Sequence, residues 1–340
     1  MHKPLLAITL GDPAGIGPEV VAGLWPDRRL HELCRPLAIG HPAILRRAVE
    51  LWQTRARVAE IDSPEQARPT VDTIPCLAVG GPETLEIPPA TVDARAGQAA
   101  YEALVLAAKL ALAGRIDGLV TAPLNKAALW AAGHHYPGHT ELLAELCGVR
   151  DFAMMLYLPP DAALAAAAGL GVVHVTLHMA LREALAAIST PAVVAKIRLA
   201  DQIMRTLKGT QPSIGVAAVN PHAGECGLFG DEEARIIEPA VTEARAAGIN
   251  VVGPLPADTL MVRAAAGDFD AVVAMYHDQG HIALKLLGMH RAVNVTLGLP
   301  IVRTSVAHGT AFDLAWQKKA NTSSMLEAVR VAAQLGSTGK

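Results

Sequence analysis

The stretch Ala271–Gly288, AVVAMYHDQGHIALKLLG, constrains the fold of this chain more than any other. Its first five residues, Ala271 to Met275, form an apolar run with no alternation. A strand buried on both faces of a parallel sheet reads in that way. The run then breaks into Tyr276, His277, Asp278, Gln279, Gly280 and His281. In open α/β sheets, ligands bind just beyond the carboxyl ends of the strands. His277 and Asp278 fall at that place, both can coordinate a metal, and Lys285 follows eight residues later.

The same pattern recurs along the chain and predicts an α/β fold built around parallel strands. Leu5 to Leu10 reads as a first strand, followed by GDPAGIGPEV (Gly11–Val20) and a helix start after Pro18. Such a glycine-bearing loop can offer backbone N–H groups to an anion, or serve as an ordinary strand-to-helix turn. Residues 30–95 alternate short apolar runs with polar loops and carry little legible chemistry. Gly97–Ala113 has helical spacing with Gly114 as its stop. Gly118–Ala122 is the next strand and leads into Lys126. His134 and His135 read as loop residues, whereas Gly138, His139 and Thr140 precede a helical pattern and can bind a phosphate or simply cap the helix.

Phe152–Leu158 and Gly171–Leu177 read as strands. His174 and His178 would share one face of the second, with His178 nearer its carboxyl end. Leu181–Ile188 and Pro191–Leu207 read as helices, and Ile214–Val219 as a strand that leads directly to His222. Asp231, Glu232 and Glu233 suit the first turn of a helix running to about Ala247. Gly253–Leu260 reads as a Pro-broken loop holding Asp258, and Ser323–Ala333 as a closing helix. His178, His222 and His277 therefore stand at, or just past, three strand ends. Singly, each is more often a structural histidine; together they are the kind of set that builds a divalent metal site with open positions. Lys285, Asn294 and Arg303 are candidate donors to an anionic substrate, with surface salt bridges as the plainer alternative.

Composition removes other classes. The 340-residue chain is 51% hydrophobic, yet has no uncharged apolar run of membrane-spanning length. Its net charge of -3, with no basic block and only 4% aromatics, argues against nucleic acid and membrane surfaces as partners. The start, MHKPLLAITLGDPAG, reads as a strand and not as a signal peptide. Cys34, Cys76, Cys147 and Cys226 are scattered without a C-x-x-C pair, as reduced thiols of a cytoplasmic protein would be.

Read together, GDPAGIGPE, PGHTE (137–141), HVTLHMALREAL, NPHAGECGLFGDEE, GPLPADTL, MYHDQGH, NVTLGLPIVRTS and HGTAFD closely resemble the 4-hydroxythreonine-4-phosphate dehydrogenase family of vitamin B6 (pyridoxine, hence pyridoxal phosphate) biosynthesis. The resemblance covers nearly the whole chain, with the motifs in the family's order. It implies the two-lobed fold of the isocitrate and isopropylmalate dehydrogenases, and a cytoplasmic homodimer with its active site in the interlobe cleft at the dimer interface. Residues 1–130 plus 300–340 would form the lobe contributing nucleotide-binding loops. Residues 131–299 would carry the metal ligands and the dimer interface.

The resemblance further implies His178, His222 and His277 as metal ligands, one of them from the partner subunit. It implies His139, Thr140, Lys285, Asn294 and Arg303 as substrate contacts, and Asp258 and Lys285 as catalytic residues. The loop of His308, Gly309, Thr310 and Asp313 resembles the family fold's nucleotide-binding loop, with Gly11, Gly15 and Gly17 as its counterpart. The implied cofactors are NAD, or NADP, and one divalent ion such as zinc, cobalt or magnesium. Leu177-His178-Met179-Ala180, YHDQGHI and APLNK lean toward a sister group that acts on 4-phospho-D-threonate or 4-phospho-D-erythronate. HVTLH and SVAHG resemble more faintly a cis-dihydrodiol dehydrogenase. A metal-dependent hydrolase or aldolase could use the same histidines without a nicotinamide.

Overall fold

The computed structural model describes residues 3–160 and 164–337. The chain divides into two compact units: residues 1–150 with 299–340, and residues 151–298. The first unit contains strands β1 (Leu5–Thr9), β2 (Arg35–Gly40), β3 (Arg57–Ile61), β4 (Thr73–Ala78), β5 (Gly118–Thr121) and, from the chain's last part, β12 (Arg303–Val306). Their order is β3-β4-β2-β1-β5-β12, and every pairing is parallel. β1, β2, β4 and β5 are apolar along most of their length because helices cover both faces of such a sheet. Leu37, Ile39, Leu104, Leu119, Leu142 and Leu143 meet in one of its cores.

The second unit holds β6 (Ala153–Leu158), β7 (Leu170–His174), β8 (Ile214–Ala217), β9 (Val251–Leu255), β10 (Ala271–Ala274) and β11 (Val293–Leu297). Here the order is β11-β6-β7-β10-β8-β9. β6 runs antiparallel to β11 and β7, while β7, β10, β8 and β9 pair in parallel. β10, formed by the apolar run that begins at Ala271, lies between β7 and β8, with Ala274 opposite His174. The carboxyl ends of β7, β8 and β10 thus lie side by side.

Several expectations are corrected. Residues 131–150 belong to the first unit, because helix His139–Leu146 buries Leu142 and Leu143 against Leu104. The helix expected over Gly97–Ala113 starts earlier, at Ala94, where the Asp93 side chain accepts from the Arg95 N–H and caps it. β7 ends at His174, so His178 is not on the same strand but in the segment following it. Gly253–Leu260 is not a loop: Val251–Leu255 is a strand and Ala257–Ala265 a helix. Pro254 is accommodated because β9 is an edge strand, where a missing N–H costs no ladder bond. Arg303 opens β12, Arg303–Val306. The acidic run at 231–233 leads into a short π-helix, Glu233–Ile237, before helix Glu238–Ala246.

Candidate functional site

The second unit assembles four imidazoles at and past its strand ends. His277 is the first residue of helix His277–Gly288, which starts three residues after Ala274, the last residue of β10. His281, one turn later, stacks on it with ring centroids 3.7 Å apart and planes 11° apart. His281 Nδ1 lies 3.1 Å from His174 Nε2 and 3.2 Å from the His277 carbonyl. The His178 ring is 5.8 Å from that of His277. His178 and His277 line an open cleft of about 580 Å³ together with Thr176, Tyr276 and Asp278. Burial holds the His174 imidazole well below its ordinary range, with His281 and His277 adding to the effect. Burial likewise pulls His281 down to about 4, with the charges of His277 and Lys285 acting the same way. Both are therefore neutral at physiological pH.

The neighbouring carboxylate sets the chemistry of His277, whose Nδ1 lies 2.7 Å from Asp278 Oδ1. A carboxylate only accepts, so Nδ1 donates, and in the neutral imidazole this leaves the lone pair on Nε2. A metal-ligating histidine has that arrangement. His178 and His277 thus fit the imidazole part of a metal site. The third expected ligand does not join them. Among the described residues no three His, Cys, Asp or Glu side chains form a metal-holding group. His222 does not line the cleft; its ring neighbour is Phe229, at 6.4 Å.

His222 instead sits in an unusual turn. His222, Ala223, Gly224, Glu225 and Cys226 all have φ between 44° and 77°. Such left-handed geometry costs a non-glycine residue about 1–2 kcal/mol. Glu233 supplies the compensation: buried, it accepts from the Val219 and Asn220 N–H groups at 2.8 Å each and from Asn220 Nδ2 at 3.0 Å. A Cβ on Gly224 would come 2.8 Å from Glu233 Oε2, so the glycine lets the acid close on the turn. The acidic run 231–233 signalled a helix start in the sequence, and this clamp was not legible there.

In the first unit, Arg303 is buried on β12, and its Nη2 donates to Thr121 Oγ1 at 2.8 Å. Burial pulls its guanidinium down to about 10, opposed by the Glu141 carboxylate. The same guanidinium, after desolvation, helps hold the His139 imidazole well below its ordinary range, with Lys126 contributing and a backbone hydrogen bond to Ala122 opposing. His139 and Thr140 open helix His139–Leu146, whose cap residue Gly138 provides no side-chain hydrogen bond. Thr140 is thus inside the helix and does not cap it. A desolvated cation and an uncapped helix N-terminus are both suited to an anion.

Gly11, Gly15 and Gly17 are brought to the loop of His308–Asp313: Ile16 N–H donates to the Thr310 carbonyl at 3.1 Å. Each glycine, however, is explained by packing. A Cβ on Gly11 would strike the Pro123 carbonyl, one on Gly17 the Leu10 carbonyl, and one on Gly15 would come 2.9 Å from Thr310 Cβ. The whole of Gly11–Val20 is buried, so this is a tightly packed strand-to-helix turn and not an open cradle. His308 bonds to Gly309 and Ser324, and Asp313 is exposed.

Of the remaining candidates, Asp258 is exposed in the first turn of its helix. Lys285 follows His277 and His281 at four-residue steps along one helix, so the three share a face. Asn294, on β11, donates from Nδ2 to Met154 Sδ at 3.1 Å and leaves Oδ1 a buried acceptor without a hydrogen-bond partner among the described residues.

Known proteins share this arrangement of strands and motifs. The family described as pyridoxal phosphate biosynthetic protein PdxA matches residues 32–332. A D-threonate 4-phosphate dehydrogenase of Salmonella typhimurium is 47% identical over 339 residues, covering 98% of this chain and 100% of its own. A 4-hydroxythreonine-4-phosphate dehydrogenase of Beijerinckia indica is 46% identical over 335 residues, covering 97% and 94%. The crystal structure of a 4-hydroxythreonine-4-phosphate dehydrogenase from Klebsiella pneumoniae superposes with a TM-score of 0.85 at 43% identity, covering 98% and 99%. At 15% identity and a TM-score of 0.50, an isocitrate dehydrogenase from Methylococcus capsulatus shares the fold.

Proposed function

The chain belongs to the PdxA family, and on that basis we propose that it is a metal- and NAD-dependent dehydrogenase acting on the secondary alcohol of 4-phosphohydroxy-L-threonine. The observation that carries a phosphorylated substrate is the buried Arg303 beside the uncapped N-terminus of helix His139–Leu146. A guanidinium pairs with phosphate through charge-assisted hydrogen bonds, and the helix N–H groups add to them. In the second unit, the buried Asn294 Oδ1 is an acceptor suited to a hydroxyl or ammonium.

His178 and His277 would hold the divalent ion, with His222 contributed by a second copy of the chain. Zinc, cobalt and magnesium are the ions to test. Bound there, the ion supplies Lewis-acid stabilisation of the developing alkoxide. The alcohol loses its proton, hydride passes from its carbon to the nicotinamide, and a β-keto acid results. Loss of CO₂ then leaves an enolate that takes a proton, and Lys285 is our candidate to deliver it. The product is 3-amino-2-oxopropyl phosphate. Asp258, exposed in the first turn of its helix, is the second candidate for proton handling.

A homodimer is supported by unit two's uncovered apolar side chains. Helix His277–Gly288 leaves Ile282 and Leu286 exposed, the latter at 84%, and helix Leu181–Ala187 leaves Leu181 and Leu185 exposed. Patches of this kind mark interfaces in oligomers. No helix among the described residues is long and apolar enough to cross a membrane. Membership of a family of vitamin B6 biosynthesis supports a cytoplasmic location.

The second reading is oxidation of D-threonate 4-phosphate, favoured by relatives of that name at 45–47% identity. NADH formation at 340 nm with zinc-loaded protein, comparing phosphohydroxythreonine, phospho-D-threonate and phospho-D-erythronate with EDTA controls, separates the two. Turnover of the amino acid alone supports the first reading, and turnover of a phosphorylated sugar acid alone replaces it with the second. NADH formation that survives EDTA refutes the metal requirement.

A further inference from the structure

Every residue of the segment His277–His281 is tied down, and the ties converge on one imidazole. Gln279 joins two strand ends: its Oε1 accepts from the Met275 N–H at 2.6 Å, and its Nε2 donates to the Ala218 carbonyl at 2.7 Å. Gly280 leaves room for the buried histidine, since a Cβ there would come 2.6 Å from His174 Nε2. His281 Nδ1 faces a carbonyl that only accepts, so it carries the proton. His174 Nε2, on the same Nδ1, is then an acceptor. This pair fixes the His281 ring, and the His281 ring stacks on His277. Asp278 Oδ1 accepts a hydrogen bond from His277 Nδ1.

We propose that Asp278 and the buried His174–His281 pair are positioning residues that preset His277 as a metal-ligating imidazole, with its Nδ1 proton committed to Asp278 and its Nε2 lone pair left for the ion. This rests on the reading of His277 as a metal ligand. An imidazole free to rotate and to exchange tautomers loses that freedom when it ligates; here the freedom is already gone. Asp278 is exposed, with a side chain 69% accessible, so its bond to His277 contributes little to folding. Its removal separates positioning from stability.

Two measurements on the full-length protein test the proposal. The first is long-range ¹H–¹⁵N NMR of the histidine side chains in metal-free protein, which reports tautomers directly. The expected result is an Nδ1–H tautomer at His277 in the wild type, a mixture in Asp278→Ala, and recovery in Asp278→Asn, which keeps an acceptor oxygen. An Nε2–H tautomer in the wild type overturns the proposal. The second is Co²⁺ titration followed by the visible spectrum, alongside the melting temperature of each metal-free variant. Asp278→Ala should weaken Co²⁺ binding about 10-fold with an unchanged melting temperature, and Asp278→Asn should restore most of it. Gly280→Ala, which displaces His174 and touches no ligand, should weaken binding too. If His277→Ala loses Co²⁺ while Asp278→Ala binds it as the wild type does, the positioning role falls and the ligand reading stands. If His277→Ala binds Co²⁺ as tightly as the wild type, both fall.

Discussion

Asp12 offers a stability test that can be worked from the structure. It is fully buried in the turn after β1, where its Oδ1 accepts from the Ala14 N–H at 2.8 Å. Burial pushes its carboxyl up from 3.8 to about 6, the Ala14 and Asn125 N–H groups oppose the rise, and the Asp93 charge adds to it. The sign follows from linkage. Between the two values the folded protein holds a proton that the unfolded chain has lost, so stability is highest at low pH and falls as pH rises through about 6. The gap between 3.8 and about 6 corresponds to about 3 kcal/mol in full at about 1.4 kcal/mol per pH unit. Between pH 5.0 and pH 7.5 the portion lost is about 1.4 kcal/mol. Asp12→Asn keeps the acceptor for Ala14 and removes the charge. Urea unfolding of both proteins at the two pH values should therefore show the variant gaining about 1.4 kcal/mol on the wild type from pH 5.0 to pH 7.5. A difference between the two proteins that does not change with pH would refute the claim that burial governs this carboxyl.

Other outcomes follow from the same geometry. Arg303→Met should lower kcat/KM for the phosphorylated substrate by about 10–150-fold, the worth of a charged hydrogen bond at about 1.5–3 kcal/mol, while steady melting shows that the buried site tolerates an apolar chain; an unchanged kcat/KM would remove Arg303 from substrate binding. Glu233→Ala strips two backbone N–H groups of a buried acceptor and should cost about 3 kcal/mol in denaturant unfolding, whereas Glu233→Gln, which keeps an acceptor oxygen, should recover part of that. Mixing His222→Ala with His277→Ala subunits, each inactive alone, should regenerate about a quarter of wild-type activity if His222 is contributed across a dimer, since about half the dimers are then mixed and each has one intact site. No recovery after verified subunit exchange would remove the shared site.

The strand-and-loop grammar was legible because burial on two faces erases alternation, and β10 reads as buried from its apolar residues alone. His277 could be placed for that reason. His178 reads as lying beyond a strand end, but the strand is shorter than the pattern suggests: Val175 to Leu177 continue the apolar pattern, whereas the ladder of β7 with β10 ends at His174. Glycine content could suggest a tight turn at Gly11–Gly17, yet not whether a ligand or the chain itself fills it; Pro123 and Thr310 are distant in sequence. The clamp of Glu233 and the stack of His281 on His277 depend on side-chain packing that periodicity does not encode. Asp258 shows the opposite error, since Pro254 and Pro256 suggested a loop where an edge strand and a helix start accommodate them.

The division of the chain also sets an order of assembly during synthesis. The second unit is one continuous segment, residues 151–298, whereas the first is completed only by residues 299–340. β12 cannot pair with β5 until the ribosome has made both, and Arg303 reaches Thr121 across a sequence separation of 182 residues. The inserted unit can therefore mature while the first still lacks a strand. A ribosome halted as Gly298 leaves the exit tunnel would display β6 to β11 complete and β5 with an open edge, a template for unwanted pairing. The Arg303 guanidinium, proposed to meet phosphate, is made after the whole of the second unit, so that part of the candidate site forms late.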